Sequence, residues 1–386
     1  MNNQTIHFVH PLPLKASGSG LLTYEIAQRL STSGHKVHLL TIEESKQSNS
    51  KNLWYDSLML GKTFPFDKVP VYTGIGLPHI CFSQMSNSEI QSYINILQKF
   101  YKQNLEKQIS SQDIVIVSHL WFHSLILKNL GISVNGIFSH GTDLMALSHS
   151  PKFAKEVRDA ANWADRIIAP SNYIRNKISS LGFKCYEKIS CIYPGIDISL
   201  FNFNPKQKIN HNLLLHIPGK NANFKGTDRL LKAILYSKSQ FRNIKLIVIG
   251  YGRIKSEVAQ MKAKLNKEIK WIDSFIPRTN IAKLLQTASA LIIPSRNEPF
   301  GMIAAEALAC GTPVIGDKSG GLLEIVDQDD GMLVSTENPS ELASAILQII
   351  NNRDSASNRL KRSKRAHDRF GWPIAVKKWL TWLKDA

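Results

Sequence analysis

Two glutamates stand eight positions apart in a segment that has the residue types of an anion-binding site. Glu298 and Glu306 occur in the stretch Ser295-Arg-Asn-Glu-Pro-Phe-Gly-Met-Ile-Ala-Ala-Glu306. The apolar run 288–294 before them predicts a buried strand, and the pattern after Gly301 predicts a helix. We therefore expect Glu298 at the carboxyl end of a strand and Glu306 on the following helix. At this edge of an open parallel sheet, the N–H groups of a helix start bind phosphate.

This Glu-x7-Glu segment, with Pro-Phe-Gly inside it, resembles the signature of retaining glycosyltransferases of family 4. Further similar motifs follow in the family's order, namely Gly219-Lys-Asn-Ala-Asn-Phe-Lys-Gly226, Val248-Ile-Gly-Tyr-Gly252, Gly320-Gly-Leu-Leu-Glu-Ile-Val326 and Arg369-Phe-Gly-Trp372. The N-terminal half resembles the family only at Gly18-Ser-Gly20, His140-Gly-Thr-Asp143 and Ala169-Pro-Ser171. In this family the C-terminal domain holds the nucleotide sugar and the N-terminal domain holds the diverse acceptor.

The resemblance implies an α/β protein with the GT-B fold, in which two Rossmann-like domains with parallel sheets face a central cleft. A chain of 386 residues is long for one hydrophobic core and fits two domains. Strand and helix patterns alternate along most of it, which indicates parallel sheets covered on both faces. We predict an acceptor domain over 1–200, a nucleotide-sugar domain over 201–370, and a helix over 371–386 that crosses back to the first domain. Residues 51–83 are rich in Pro, Gly and aromatics and are expected to be irregular.

Four residues are the candidates for catalysis under this resemblance: Lys220, Lys225, Glu298 and His140. Negative charge rises on the diphosphate as the bond to the sugar breaks, so fixed cations at that point lower the barrier. Lys220 and Lys225 would supply them, with two ordinary loop lysines as the alternative. Glu298 resembles the family residue that binds donor-sugar hydroxyls, and His140 a family histidine near the reacting sugar. A core histidine is the other interpretation of His140, and Asp143 would orient it or cap a helix.

The donor-binding candidates extend along both halves of the chain. Glu306 resembles the residue that accepts both ribose hydroxyls, and backbone N–H groups at the predicted helix start would meet the diphosphate. By position, Gly250, Tyr251 and Arg278 could surround the nucleobase and its ribose. Gly18-Ser19-Gly20 resembles a flexible loop that touches phosphate and acceptor, although a glycine-rich turn alone is a weak signal. Besides Glu306 and that loop, the candidates are Gly219, Gly250, Tyr251, Arg278, Phe300, Gly301 and Met302.

No metal or other cofactor is expected from the sequence. No Asp-x-Asp falls at a predicted sheet edge, and Asp327-Gln-Asp329 lies in a polar turn. We therefore expect metal-independent transfer with retention, in which the diphosphate oxygen serves as the base. The four cysteines show no Cys-x-x-Cys pair, which indicates free thiols in a reducing compartment.

The formal net charge of +18 indicates a polyanionic partner or a solvated surface. Its densest run is Arg359-Leu-Lys-Arg-Ser-Lys-Arg365, followed by Trp372, Trp379 and Trp382. Cations beside tryptophans are typical of a membrane interface. The alternative interpretation is that the tryptophans pack the last helix onto the first domain. Nucleic acid is disfavoured because no recognised binding module is present. Without a signal peptide or membrane span, we expect a cytoplasmic protein, at the inner face of the cell membrane if the basic run binds lipid.

Three functions are left open by the sequence. The leading one is a retaining glycosyltransferase of the hexosyltransferase type that transfers a hexose or an N-acetylhexosamine. We expect a UDP-sugar as the donor, with GDP-mannose second, and a small molecule, a lipid-linked glycan or a protein as the acceptor. A sugar-nucleotide epimerase of the same fold would need acid and base carboxylates in the N-terminal half, and none is identifiable. A non-enzymatic polyanion-binding protein would explain the charge but leave the segment from Glu298 to Glu306 unexplained.

Overall fold

The chain forms two units, each built around its own parallel sheet. The computed structural model describes residues 4–15, 17–45, 47–64, 66, 68–71, 79–106, 108–144, 154–182, 188–220, 223–241, 243–251, 254–265 and 269–386. The first unit comprises Met1–Ile192 and Val376–Ala386, and the second comprises Tyr193–Ala375. The division falls at residue 192 and not at the predicted 200, because Ile196 and Phe201 are buried in the core of the second unit.

The first unit contains nine described strands. They are β1 (Thr5–His10), β2 (Lys36–Glu43), β3 (Leu53–Met59), β4 (Val69–Val71), β5 (His79–Cys81), β6 (Ile114–Ser118), β7 (Gly136–Phe138), β8 (Arg166–Ala169) and β9 (Ile189–Cys191). Seven form one parallel sheet in the order β3-β2-β1-β6-β7-β8-β9, and β4 pairs with β5 apart from it. The described helices are α1 (Gly18–Thr32), α2 (Asn87–Tyr101), α3 (Phe122–Asn129), α4 (Ala154–Trp163) and α5 (Asn172–Ser180).

Strand β3 corrects the expectation of an irregular segment over 51–83. Its register runs from Val37↔Leu53 to Glu43↔Met59, so it is the edge strand beside β2. The four consecutive residues from Trp54 to Ser57 are half-buried, so the strand lacks the strict apolar alternation that sequence patterns detect. Residues 65, 67 and 72–78 of the predicted irregular segment lie outside the described residues.

The second unit repeats the alternation of strands and helices that the sequence predicts. Its strands are β10 (Asn210–Lys220), β11 (Lys245–Tyr251), β12 (Ile269–Ile272), β13 (Ala288–Ile293), β14 (Val314–Asp317) and β15 (Gly331–Val334). Its helices are α6 (Thr227–Tyr236), α7 (Ser256–Lys264), α8 (Arg278–Thr287), α9 (Met302–Ala309), α10 (Leu322–Ile325), α11 (Pro339–Asn351) and α12 (Ala356–Phe370). The sheet is parallel in the order β12-β11-β10-β13-β14-β15.

Both faces of the second sheet are buried. Leu213 and Leu215 belong to one hydrophobic cluster, and Leu214 between them belongs to another. In β13, Leu291 and Ile292 are divided between the same two clusters. Because side chains alternate across a strand, these clusters lie on opposite faces of the sheet, each covered by helices.

Each sheet has one point at which the strand order reverses. In the first sheet this point lies between β1 and β6, and in the second it lies between β10 and β13. The loops that leave adjacent strands there run to opposite faces, which leaves a crevice at their carboxyl ends where ligands bind. The segment from Lys225 to Gly226 follows β10, and Glu298 follows β13.

The last helix, α13 (Trp372–Lys384), carries three tryptophans that are all buried. Trp372 lies against Gly195 in the second unit, where a Cβ atom would come within 2.3 Å of the indole. Trp379 packs edge-on against Phe138 at 5.4 Å in the first unit, and Trp382 lies over Gly136. Packing onto the first unit is confirmed for Trp379 and Trp382, whereas Trp372 packs within the second unit, and all three are buried and not available to a membrane interface.

The basic run lies on α12 and is largely structural, which corrects the membrane interpretation of its arginines. Arg359 is fully buried, and its guanidinium donates to the carbonyls of Gln286 and Ala288. Arg362 donates to Gly311 O at 2.7 Å and to the Asp354 carboxylate at 2.6 Å. Of the run's cations, Lys361 and Lys364 remain exposed. Within the part of the chain that the structure describes, no helix combines the length and apolarity needed to cross a bilayer.

Candidate active site

The loop after β10 is held tightly against the end of β13. Gly226 has φ +71°, and a Cβ atom there would stand 1.9 Å from the carbonyl oxygen of Pro294. Arg296 N donates to Phe224 O at 2.6 Å, which ties the two segments a second time. Only glycine allows this approach, since any side chain would collide with backbone. Lys225, one residue before Gly226, is thereby fixed beside the residues that follow β13.

Lys225 and Glu298 form an ion pair at this place. Lys225 Nζ donates to both carboxylate oxygens of Glu298, at 3.1 and 3.0 Å. Glu298 is buried at 7% exposure, whereas the lysine side chain is a quarter exposed. The same ammonium lies 4.9 Å from the centre of the Phe224 ring. The structure thus brings together two of the four residues that the sequence proposes for catalysis.

Helix α9 begins four residues after Glu298, at Met302, without a side-chain cap. Gly301 occupies the N-cap position with φ +109°, and no side chain accepts from the first N–H groups of the helix. Those N–H groups and the positive end of the helix dipole favour an anion. The charge of Lys225, two residues upstream of α6, is therefore placed near a second source of positive potential.

The pair Gly320-Gly321 supports the backbone of this turn, a role that the sequence does not indicate. Gly321 N donates to Glu298 O at 2.7 Å, and a Cβ atom on Gly320 would lie 2.6 Å from the same carbonyl oxygen. A Cβ atom on Gly321 would lie 2.7 Å from Pro299 O. The two glycines let the segment before α10 pack directly on the residues that carry Glu298.

Glu306 lies one and a half turns into α9 and is paired with Arg278. Its carboxylate is 2% exposed, and Arg278 donates to it at 2.6 Å from the first position of α8. Burial raises the pKa of Glu306, and the guanidinium partly offsets this effect. Arg278 is 40% exposed and stacks over the Phe201 ring at 4.9 Å. A polar ligand could therefore reach the guanidinium side of this pair from solvent.

The carboxyl ends of β10 and β11 bring together further predicted site residues. Gly219 lies opposite Gly250, and Lys220 opposite Tyr251, at the carboxyl ends of β10 and β11. The carbonyl of Gly250 accepts from Trp271 Nε1 at 3.0 Å, which holds this edge. The side chain of Lys220 lies outside the described residues.

The side chains of Phe300 and Met302 serve different purposes. Phe300 is buried and packs against the rings of Tyr193 and Phe370, at 5.4 and 5.9 Å between centroids. Its side chain belongs to the core, so a ligand would meet only its backbone. Met302 is the first residue of α9 and is half-buried.

In the first unit, Gly18, Ser19 and Gly20 begin helix α1 and do not form a loop, which corrects the sequence expectation. Ser17 caps this helix by accepting from Gly20 N at 3.0 Å. A Cβ atom on Gly20 would lie 2.5 Å from Pro13 O, whereas one on Gly18 would meet nothing within 4 Å. Gly20 is thus required for packing, and Gly18 leaves an open approach to the helix start.

His140 follows β7 and belongs to a group of three histidines. Its ring lies 4.7 Å from that of His119 and 6.0 Å from that of His10. Burial lowers the pKa of all three imidazoles, so they are neutral at pH 7. Within the described residues, this is the one group of His, Cys, Asp and Glu with the geometry to hold a metal ion.

Asp143 is a hydrogen-bond acceptor for three donors around His140. Its carboxylate accepts from Leu120 N at 2.9 Å, from Ser139 Oγ at 3.1 Å and from Leu144 N at 3.1 Å. It therefore ties the turn after β6 to the turn after β7, and it positions His119 and His140 through the backbone.

Several residues of this region gave no signal in the sequence. His216 joins the carbonyl of Ile292 to the hydroxyl of Thr227, at 2.9 Å each, and so fixes the start of α6 on β13. Arg296 holds Asp228 with two hydrogen bonds of 3.1 and 2.8 Å. Their partners are distant in sequence, so no local motif could reveal them.

Comparison with known proteins gives the family. The family described as Glycosyltransferase Family 4 matches residues 16–200, and Glycosyl transferases group 1 matches residues 202–367. An uncharacterized glycosyltransferase of Methanocaldococcus jannaschii, MJ1178, is 32% identical over 256 residues, which cover 65% of this chain and 68% of that protein. The N-acetyl-alpha-D-glucosaminyl L-malate synthase of Bacillus anthracis is 22% identical over 361 residues, 90% of this chain and 88% of the relative.

Solved structures agree on the fold. HepE (Alr3699) of Anabaena, solved in complex with UDP and glucose, superposes with a TM-score of 0.74 at 17% identity over 100% of both chains. Two Rossmann-like domains with parallel sheets are the architecture of this GT-B class. The chain therefore belongs to the family 4 glycosyltransferases and is a transferase enzyme of the GT-B fold.

Proposed function

We propose that this glycosyltransferase transfers a hexose or an N-acetylhexosamine from a nucleotide-diphosphate sugar to an acceptor hydroxyl, with retention and without a metal ion. The observation that supports it most is the Lys225–Glu298 pair beside the uncapped start of α9. It combines a cation, free N–H groups and a carboxylate at the reversal point of the second sheet. A diphosphate is complementary to the cation and the N–H groups, and the hydroxyls of a sugar are complementary to the carboxylate.

Within the second unit, each group has a proposed role. The diphosphate lies at the start of α9, near the N–H groups of Phe300, Gly301 and Met302, with Lys225 and Lys220 as cations. Glu306 accepts the ribose hydroxyls and Glu298 a sugar hydroxyl. The nucleobase lies at the strand ends where Gly250 and Tyr251 pair with Gly219 and Lys220.

The first unit is proposed to serve the acceptor and the reacting sugar. The family resemblance assigns His140 a place near that sugar and assigns the residues from Gly18 to Gly20 to phosphate and acceptor. The open surface at Gly18 and the uncapped Nε2 of His140 support these roles, since the described residues offer His140 Nε2 no hydrogen-bond partner.

In the proposed reaction, the bond between the anomeric carbon and the diphosphate oxygen breaks as the acceptor oxygen attacks the same face. The leaving diphosphate oxygen takes the proton of the acceptor hydroxyl, so no protein base is needed. Lys225 and the helix start stabilise the charge that develops on the diphosphate. These fixed groups supply the positive charge that a divalent ion would otherwise provide, which supports metal-independent transfer.

UDP is the proposed nucleotide, with GDP second. HepE was solved with UDP and glucose, and a relative is named for an N-acetylglucosaminyl product. The acceptor is proposed only as a hydroxyl compound, whether a small molecule, a lipid-linked glycan or a protein. Action in the cytoplasm remains part of the same proposal.

A nucleotide-protection assay followed by a hydrolysis screen tests this proposal. UDP at micromolar concentration should raise the melting temperature more than GDP or ADP does. Hydrolysis of UDP-glucose or UDP-N-acetylglucosamine should release the α-anomer first, as NMR can follow, and EDTA should leave the rate unchanged. Protection by oligonucleotides alone would support the polyanion-binding alternative, and an epimerised UDP-sugar would support the epimerase. Release of the β-anomer or loss of the rate in EDTA would contradict retention or metal independence.

A further inference from the structure

Three histidines from neighbouring strands of the first sheet converge where its strand order reverses. His10 ends β1, His119 directly follows β6, and His140 follows β7 by two residues. One ligand nitrogen from each ring can be chosen so that all three lie within 4.8 Å of one another. This position, at the carboxyl ends of the strands, is where open parallel sheets bind ligands.

We propose that His10, His119 and His140 form a binding site for a divalent transition-metal cation of the zinc type. Three imidazole nitrogens with one open position are the ligand set that zinc takes in many non-structural sites. Bond lengths of about 2.0–2.1 Å to tetrahedral zinc require nitrogens about 3.4 Å apart. The ligand nitrogens lie within 4.8 Å of one another, so the rings must approach by up to about 1.4 Å to bind zinc.

The hydrogen bonds of His10 leave its Nε2 available. Thr23 Oγ1 donates its proton to Ser19 O at 3.0 Å, so its oxygen is available to accept from His10 Nδ1, which lies 3.4 Å away. With the proton on Nδ1, the lone pair of Nε2 is free. Nε2 is buried and has no hydrogen-bond partner among the described residues. An outer hydrogen bond that fixes the tautomer of a metal-binding histidine is the usual arrangement.

The site also carries negative charge for a cation to neutralise. Asp143 is fully buried, and its three described donors, Leu120 N, Ser139 Oγ and Leu144 N, are all neutral. Among the described residues no lysine or arginine forms an ion pair with it. Its charge acts on His119. A buried carboxylate beside this group favours a cation there, because none of the described basic side chains forms an ion pair with it.

His10 and His119 are buried, and His140 is half-buried although its Nε2 is shielded from solvent. A bound cation would draw the His140 nitrogen away from a sugar. If His140 acts as proposed above, the same cation inhibits the transfer, and this consequence rests on the proposed function.

Titration of the untagged, EDTA-treated full chain with Co²⁺ tests the site without any activity assay. We expect intense visible d–d absorption of a four-coordinate ion at one equivalent, abolished by one equivalent of Zn²⁺. His10→Ala and His140→Gln should each weaken Zn²⁺ binding by at least about 100-fold, and Asp143→Asn by about 10-fold. His140→Gln is the safer variant for folding, since this residue is half-buried, and circular dichroism checks each protein.

His123 is the matched control, because it is a buried histidine of α3 beside this group but outside it. His123→Ala should retain the Co²⁺ spectrum. A spectrum like that of hydrated Co²⁺, equal Zn²⁺ affinity in the folded His140→Gln protein, or loss of binding in His123→Ala would each overturn the site. Zn²⁺ binding without inhibition of donor hydrolysis would retain the site and contradict only the role of His140 in transfer.

Discussion

At the level of single residues, the groups proposed to bind the donor are paired with one another. Lys225 holds Glu298, and Arg278 holds Glu306. Both carboxylates are buried, so each would be costly to leave without a partner. A donor that takes over these contacts exchanges one set of charge-assisted hydrogen bonds for another. Affinity then depends on the difference between the two sets and less on their total strength.

Replacing Lys225 should impair turnover more than donor binding. Its charge is needed most when the diphosphate departs, so Lys225→Ala should lower kcat about 100-fold and change the donor Kd less than about 10-fold. Steady-state kinetics and calorimetry measure the two effects. Lys225→Arg is the control, because it keeps the charge and should retain more of the rate. Equal losses in kcat and affinity would indicate uniform binding.

Replacing Glu306 should weaken nucleotide affinity. Glu306→Gln removes charge-assisted hydrogen bonds to ribose worth about 1–3 kcal/mol, so UDP should bind about 5- to 150-fold more weakly. Isothermal calorimetry measures this change. Glu341→Gln, an exposed glutamate on α11, is the control and should bind UDP like the wild type. Unchanged UDP affinity in a folded Glu306→Gln protein would refute the ribose role.

The two site glutamates could be recognised from sequence because their chemistry lies within one short segment. Strand, turn and helix follow each other there, so a local motif contains the whole arrangement. His10 and His119 gave no such signal, since their relation to His140 depends on the order of strands in the sheet. Tertiary pairs of this kind cannot be derived from spacing along the chain.

At the level of elements, the same distinction explains which parts of the fold could be predicted. Strands buried on both faces, such as β13, read as continuous apolar runs. Edge strand β3 was missed because four of its central residues are half-buried and include Asp56 and Ser57. The segment from Gly18 to Gly20 resembles a flexible loop of the family and contains two glycines, which disfavour helix, yet the Ser17 cap and the packing of Gly20 make it the start of α1.

Gly226→Ala tests how far the loop after β10 depends on close backbone approach. The new Cβ atom would lie 1.9 Å from Pro294 O at φ +71°. We expect destabilisation of more than about 2 kcal/mol and reduced donor binding, because Lys225 would move. Gly131 has φ +72° but nothing within 4 Å, so Gly131→Ala should cost only about 1 kcal/mol. Similar losses of melting temperature in the two variants would contradict the steric explanation.

At the level of the whole molecule, positive charge has two uses that composition cannot separate. Arg359 and Arg362 lie inside the second unit and bind backbone carbonyls, whereas Lys361 and Lys364 on the same helix face solvent. Helical periodicity places these two pairs on different faces of α12. A net charge of +18 therefore overstates what is available to a polyanion.

This division predicts opposite outcomes for neighbouring substitutions on α12. Arg362→Ala removes donors to Gly311 O, Asp329 O and Asp354, and should cost about 3 kcal/mol of unfolding free energy. The double variant Lys361→Glu and Lys364→Glu should stay within about 0.5 kcal/mol per substitution. Denaturant unfolding measures both. If the wild type binds anionic liposomes and the double variant does not, the exposed lysines alone bind the membrane.

Buried neutral histidines in both units make the stability of the whole molecule depend on pH. His7 in β1 and His216 in β10 each have a pKa lowered to about 4, mainly by burial. In the unfolded chain each takes up a proton near pH 6.5, whereas the folded protein resists protonation until about pH 4. The unfolded state therefore binds more protons between these values, and stability falls as pH falls through this window.

His216→Gln isolates one of these contributions. A pKa of about 4 against 6.5 corresponds to about 3 kcal/mol lost per histidine by pH 4. The variant should be less stable than the wild type at pH 7.5, because the bridge from Ile292 to Thr227 is changed. Its unfolding free energy should nevertheless decline less steeply from pH 6.5 to pH 4.5, as denaturant titrations at several pH values would show. An identical slope in the variant and the wild type would mean that His216 is already protonated in the folded protein.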